Sequence, residues 1–185
     1  AQGAAGVALR KRRTARSPQE DRGPISAPRG VLVQGATVWT CGPMGRMEGA
    51  ALLCVDGRIV AVGRGLELPP DMPAGLAVLD GRGLHLTPGL IDCHSHAAIV
   101  GDVNEATVPS SAMVRIEDVV NSETANLYQE LAGGLTAANL LHGSANPIGG
   151  QNCVIKLRDG ATPDGLKLEG APAGIKFALG ENVKQ

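Results

Sequence analysis

Residues 87–98 read TPGLIDCHSHAA. A short apolar run ends in an acid, Asp92, and two histidines follow two apart, His94 and His96. Side chains alternate faces along a strand, so Leu90, Asp92, His94 and His96 fall on one face, with Ile91, Cys93 and Ser95 on the other. Two imidazoles placed this way can converge on one ion, and zinc accepts imidazole nitrogen at about 2.0–2.1 Å. A rigid strand keeps such ligands aimed. The spacing alone is equally that of two polar residues where a strand meets a loop. The surrounding chain decides between the two.

Upstream, the texture is β. VLVQGATVWT, from Val31, is rich in β-formers and partly alternating. GAALLCVDGRIVAVG, from Gly49, sets two apolar runs around Asp56-Gly57, a strong signal for a two-residue hairpin because both central residues need positive φ. LAVLDGRGLHLTPG repeats the pattern with a second Asp-Gly at 80–81. Residues 29–86 therefore read as a small antiparallel sheet layer, without the polar clusters of a catalytic site; His85 within it is assigned no role. Before it, residues 1–28 are small, charged and Pro-bearing, and read as a disordered tail. Its basic run RKRRTAR, 10–16, reads as solvated, with contact to nucleic acid or anionic lipid as the rival reading.

Downstream, strand and helix alternate. Val119, Val120, Leu127 and Leu131 recur near the helical period, predicting a helix over 116–132 that Gly133-Gly134 stops. LTAANLLHG at 135–143 reads as the next strand, which gives a parallel strand–helix–strand order. GSANPIGGQN, 143–152, is a loop, NCVIKLRDG and DGLKLEG a hairpin hung on it, and AGIKFALGE, 173–181, a third candidate barrel strand. The expected class is α/β: a β-sandwich portion over 29–86, then the first units of an incomplete (β/α)8 barrel over 87–185. Parallel barrels carry their active sites at the carboxyl ends of the strands, where His94 and His96 fall.

In this context Pro88-Gly89-Leu90-Ile91-Asp92-Cys93-His94-Ser95-His96 resembles the first-strand signature of the amidohydrolase superfamily, PG-[LF]-[IV]-D-x-H-x-H. These are metal-dependent hydrolases on a (β/α)8 barrel flanked by a small β-sandwich. The resemblance covers roughly residues 30–185. GSANPIGGQ and GIKFALGEN are similar to a branch near imidazolonepropionase-like enzymes and metal-dependent dipeptidases. The resemblance implies that His94 and His96 bind the first, more buried ion of a site holding one or two divalent ions, zinc first among them. Asp92 resembles the amidase and imidazolonepropionase side of the superfamily, and its implied work is to orient the strand or a histidine behind the ligands.

A binuclear site in this superfamily needs a bridging ligand, usually a carboxylated lysine or a glutamate. Lys176 and Glu181 both qualify, with opposite strand parity, and Lys176 is favoured because it lies mid-strand among apolar residues. A snorkelling surface lysine is the plain alternative. His142, Asn146 and Gln151 sit at or in the 143–152 loop as candidate substrate contacts; packing and turn chemistry account for them equally.

The rest of the composition narrows the field. Four cysteines at 41, 54, 93 and 153 form no CxxC and read as reduced, mostly packed thiols. One Trp, one Tyr and one Phe leave the core to Ala, Val, Leu and Ile. A net charge of −1 supplies no global field for nucleic acid, and no apolar run reaches the roughly 18 residues of a membrane span. A complete barrel takes about 200 residues or more, so the two later histidines and the general-base aspartate that the resemblance implies are expected downstream of this chain, and the chain by itself is expected to be inactive. The reading is a metal-dependent hydrolase of carbon–nitrogen bonds other than standard peptide bonds, such as those of cyclic amides, taking a small-molecule substrate and able to form homo-oligomers. A dipeptidase of the same fold and a relative that has lost its site are the alternatives. Compartment stays open.

Overall fold

The computed structural model describes residues 28–66 and 75–184, which fall into two compact units, Ile25–Pro88 and one running from Gly89 onward. The expected tail at 1–28 lies almost wholly outside the described residues.

The first unit is one sheet. β1 (Gly30–Trp39) is its spine, with a buried–exposed alternation that follows its apolar residues. β2 (Arg46–Val55) pairs antiparallel with β1, and β3 (Arg58–Gly63) antiparallel with β2. The β2–β3 turn is the expected one: Asp56 and Gly57 carry φ of 48° and 75°. The second Asp-Gly does something different. β4 (Leu76–Asp80) and β5 (His85–Leu86) both run parallel to β1 along its other edge, so the sheet is mixed rather than antiparallel. Gly81 is a close crossing, not a hairpin centre: a Cβ there would meet the Ala36 Cβ at 2.8 Å, and its N–H donates to the Gln34 carbonyl at 2.7 Å. Leu32, Ala36, Val38, Ala50 and Leu53 form the buried side.

The second unit is also β-rich, with few helices. β6 (Leu90–Ser95) leads through α1 (Ala125–Ala132) to β7 (Leu135–Leu140), parallel to β6, as the expected strand–helix–strand unit. Gly133 ends α1, its N–H donating back to Gln129 and Glu130, and Gly134 turns at φ 99°. The expected 116–132 helix is broken. Its first part is a 3-10 turn, Ile116–Val119, after which Val120 turns extended and bridges Ile99. The Asn121 N–H then donates to Ala98, so tertiary pairing overrides the helical period.

β8 (Ile148–Gln151) and β9 (Cys153–Lys156) follow. β9 lies antiparallel beside β7, giving an open sheet in the order β6-β7-β9. The expected hairpin after β9 survives as one bridge, Ile155 to Lys167, with the short helix α2 (Pro163–Leu166) between. Over 173–181 only β10 (Ile175–Phe177) is strand, and it pairs antiparallel with β8, not with β7. The expected third barrel strand is thus not a neighbour of the first two. Four residues of the expected 143–152 loop, Ile148–Gln151, form β8, which captures β10 instead. Leu127, Leu140, Ile155 and Leu166 anchor a core without a single aromatic side chain.

Candidate metal centre

The histidine pair sits at the carboxyl end of β6, where regular alternation fails. Asp92 pairs with Ala138 and Ser95 with Leu140, so three residues advance on β6 for two on β7. Such a bulge re-aims side chains. Ser95 turns inward and is buried, while His94 and His96 stay exposed. Asp92 supports the bulge locally, its carboxylate accepting the His94 N–H at 3.0 Å. The two rings lie edge to face with centroids 5.2 Å apart.

Each ring has one nitrogen placed by a partner. His96 Nδ1 lies 2.8 Å from the Leu141 carbonyl at the end of β7. A carbonyl only accepts, so Nδ1 carries the proton and Nε2 presents its lone pair. His94 Nε2 lies 3.1 Å from the Lys176 Nζ on β10. Lys176 and the two histidines therefore meet, although β10 is not in their sheet. The Lys176 ammonium holds the His94 imidazole below its ordinary 6.5, with burial and His96 adding to the effect and Asp92 opposing it. Partial burial lowers the Lys176 amine as well. For His94 and Lys176 the shift is toward the neutral form, which is the form that binds metal.

Donor chemistry fits a divalent ion only in part. Two imidazoles suit zinc, and a lysine amine left neutral accepts carbon dioxide to become an oxygen ligand. Among the described residues, however, no three of His, Cys, Asp or Glu gather as a ligand set. Glu181 begins a 3-10 turn after β10 and pairs with Lys184 at 3.4 Å.

The loop candidates are placed differently. His142 is buried, 5% exposed, with Nε2 at 3.3 Å from Ser111 Oγ and Nδ1 at 3.0 Å from the Gly143 carbonyl. Sequence reading missed Ser111, which lies 31 residues away with no motif around it. Asn146 is fully buried, donating to Glu105 at 3.2 Å and to the Val108 carbonyl at 2.7 Å, while its Oδ1 has no partner. Glu105, also unmarked in the sequence, takes hydrogen bonds from the Thr107 hydroxyl and N–H and from Val108, and its carboxyl is lowered to about 2 chiefly by Thr107. Gln151 is exposed, its amide donating to the Ala112 carbonyl at 3.2 Å.

No family model matches the chain. It is 29% identical over 184 residues to an amidohydrolase of Hapsidospora irregularis, covering 84% of this chain and 19% of that one. It is 45% identical over 85 residues to an imidazolonepropionase of Anaeromyxobacter sp. (strain K), covering 42% of this chain and 20% of the relative. The crystal structure of an amidohydrolase from Thermotoga maritima superposes with a TM-score of 0.70 at 36% identity, over 83% of this chain and 40% of that one. The chain thus spans about a fifth of the length of the curated relatives it matches. Sequence relatives and fold neighbour together support the amidohydrolase superfamily.

Proposed function

We propose, from this amidohydrolase resemblance, that the chain carries the first half of the metal centre of a hydrolase acting on carbon–nitrogen bonds outside standard peptides, with cyclic amides as the leading substrate class. The carrying observation is the meeting of His94, His96 and Lys176 at the carboxyl end of β6, with the His96 tautomer set by Leu141. His94 and His96 would hold a divalent ion through nitrogen, and Lys176, once carboxylated, would supply an oxygen ligand. Zinc is the preferred ion, because two imidazoles and a carbamate oxygen match its ligand preferences. When bound, such an ion lowers the pKa of its water to about 7 and polarises a carbonyl.

The chain's own residues prepare that chemistry. The Leu141 carbonyl holds the His96 ring with Nε2 outward. Asp92 fixes the bulge that turns His94 toward Lys176. Substrate contact is proposed for the 143–152 segment through the exposed Gln151. Residues 29–86 are the β-sandwich portion and β6–α1–β7 the first unit of a (β/α)8 barrel, whose general-base aspartate belongs to a longer protein.

The test is hydrolysis of a panel of cyclic amides and dipeptides by the complete protein, with and without zinc. Zinc-dependent opening of cyclic amides is expected. Zinc-dependent cleavage of dipeptides alone would move the assignment to the dipeptidase reading, and turnover unaffected by metal removal would sink both.

A further inference from the structure

A chain of side-chain amides links the backbone beside His94 to the backbone beside Lys176. Asn139, on β7, donates from Nδ2 to the Cys93 carbonyl at 3.2 Å. Asn152, between β8 and β9, donates from Nδ2 to Asn139 Oδ1 at 2.8 Å. The Gly174 N–H donates to Asn152 Oδ1 at 2.6 Å, and the Asn152 N–H returns to the Gly174 carbonyl at 3.0 Å. Asn152 thus grips both polar groups of Gly174, two residues before Lys176, while Asn139 grips the residue before His94.

The direction of this chain is fixed at both ends. A backbone N–H can only donate and a backbone carbonyl can only accept. Gly174 therefore demands oxygen from Asn152, which leaves its NH2 for Asn139, which in turn leaves its own NH2 for Cys93. Turning either amide over sets oxygen against oxygen or nitrogen against nitrogen. Both asparagines are partly buried, where a mispaired polar group is costly. β10 needs this help. It is three residues long, and its pairing with β8 is irregular between Ile175 and Phe177.

We infer that Asn139 and Asn152 are positioning residues that set the Lys176 amine on His94, and so build the metal-bridging arm before any ion arrives. The inference rests on the proposed ligand role of Lys176 for its functional meaning. It is separable from that role, because the clamp has its own geometric consequence. Change to aspartate keeps size and shape, replaces the NH2 donors with an acceptor oxygen and adds a charge. A role in packing alone predicts lower stability with Lys176 still on His94.

The experiment uses the full chain as wild type, Asn139→Asp, Asn152→Asp and Lys176→Ala, with zinc as the probe. Zinc affinity is read by competition with a chromophoric chelator well below the melting temperature. Crystal structures of the metal-free proteins give the Lys176 Nζ position. In both aspartate variants zinc is expected to bind about 10–100-fold more weakly, the usual cost of losing a group that orients a ligand. Lys176 is expected to leave His94, with the secondary structure unchanged. If either aspartate variant fails to fold, Asn152→Ser, which shortens the clamp, replaces it. Wild-type zinc affinity in folded aspartate variants, beside weakened binding in Lys176→Ala, overturns the inference alone. Unchanged binding in Lys176→Ala overturns the ligand role. The clamp is then decided by the crystal structures: Lys176 still on His94 in Asn152→Asp refutes it, and Lys176 displaced upholds it.

Discussion

His94 with His96, and His142 with Ser111, are two histidine settings within the chain's second unit, and they differ in what their nitrogens have left to give. His142 is buried and has spent both: one faces the Ser111 hydroxyl and one the Gly143 carbonyl. His96 has spent only Nδ1, on Leu141, and is exposed. His94 has spent Nε2 on an amine, a partner that an ion displaces. A histidine's capacity to bind metal is thus set by its hydrogen bonds and exposure rather than by its presence in a motif.

The contrast makes the His142 setting the one that stability depends on. His142→Ala removes a buried ring and two hydrogen bonds, and is expected to cost about 2–4 kcal/mol by chemical denaturation while zinc binding persists. Loss of zinc from a well-folded His142→Ala protein would erase the distinction. Gly150→Ala tests the same region from its other wall, where an added Cβ would come within 2.6 Å of the Val114 side chain and 2.9 Å of its carbonyl. Backbone yields poorly, so about 1–3 kcal/mol is expected to be lost; a neutral result would mean that β8 is loosely held.

A smaller effect concerns acid. Glu105 ties the 102–108 segment to the Asn146 loop, and its carboxyl lies at about 2 against an ordinary 4.5. Because the folded value is depressed, the stabilisation is fully present above about pH 4.5 and is lost as pH falls toward about 2. Glu105→Gln is expected to flatten stability over that window and to leave it unchanged in shape above pH 5, as read by thermal melts across pH. An identical acid limb in the variant would remove Glu105 from the account.

The smallest expected effect is on the thiols. Burial pushes the Cys153 thiol up, whereas Cys41 and Cys93 are exposed. Iodoacetamide is expected to label Cys41 and Cys93 at least about tenfold faster than Cys153 in the native protein, read by peptide mass mapping. Of the four thiols expected to be mostly packed, Cys54 and Cys153 are partly or fully buried and Cys41 and Cys93 face solvent.

Signals confined to neighbouring residues were legible in the sequence. Asp56-Gly57 announced its turn and Gly133-Gly134 its stop, because positive φ is a local demand. TPGLIDCHSHAA announced its pair of imidazoles and the parallel strand that follows. Features decided across the fold were not legible. The bulge between Asp92 and Ser95 depends on pairing with β7, so strict alternation gave the right neighbours for the wrong reason. Val120 left its helix for Ile99, and β10 chose β8 over β7, each through pairings no window of sequence contains. Asn139 and Asn152 carry no motif, and their partners lie 46 and 13 residues away. Lys176 was singled out by its apolar setting, whereas its contact with His94 joins residues 82 apart that no window of sequence contains.

The most direct test is zinc stoichiometry of the complete protein, by elemental analysis after dialysis, in wild type, His94→Ala/His96→Ala and His142→Ala. The account expects one or two ions per chain in wild type and in His142→Ala, and none retained in the double variant. Equal zinc in the double variant and wild type would contradict it.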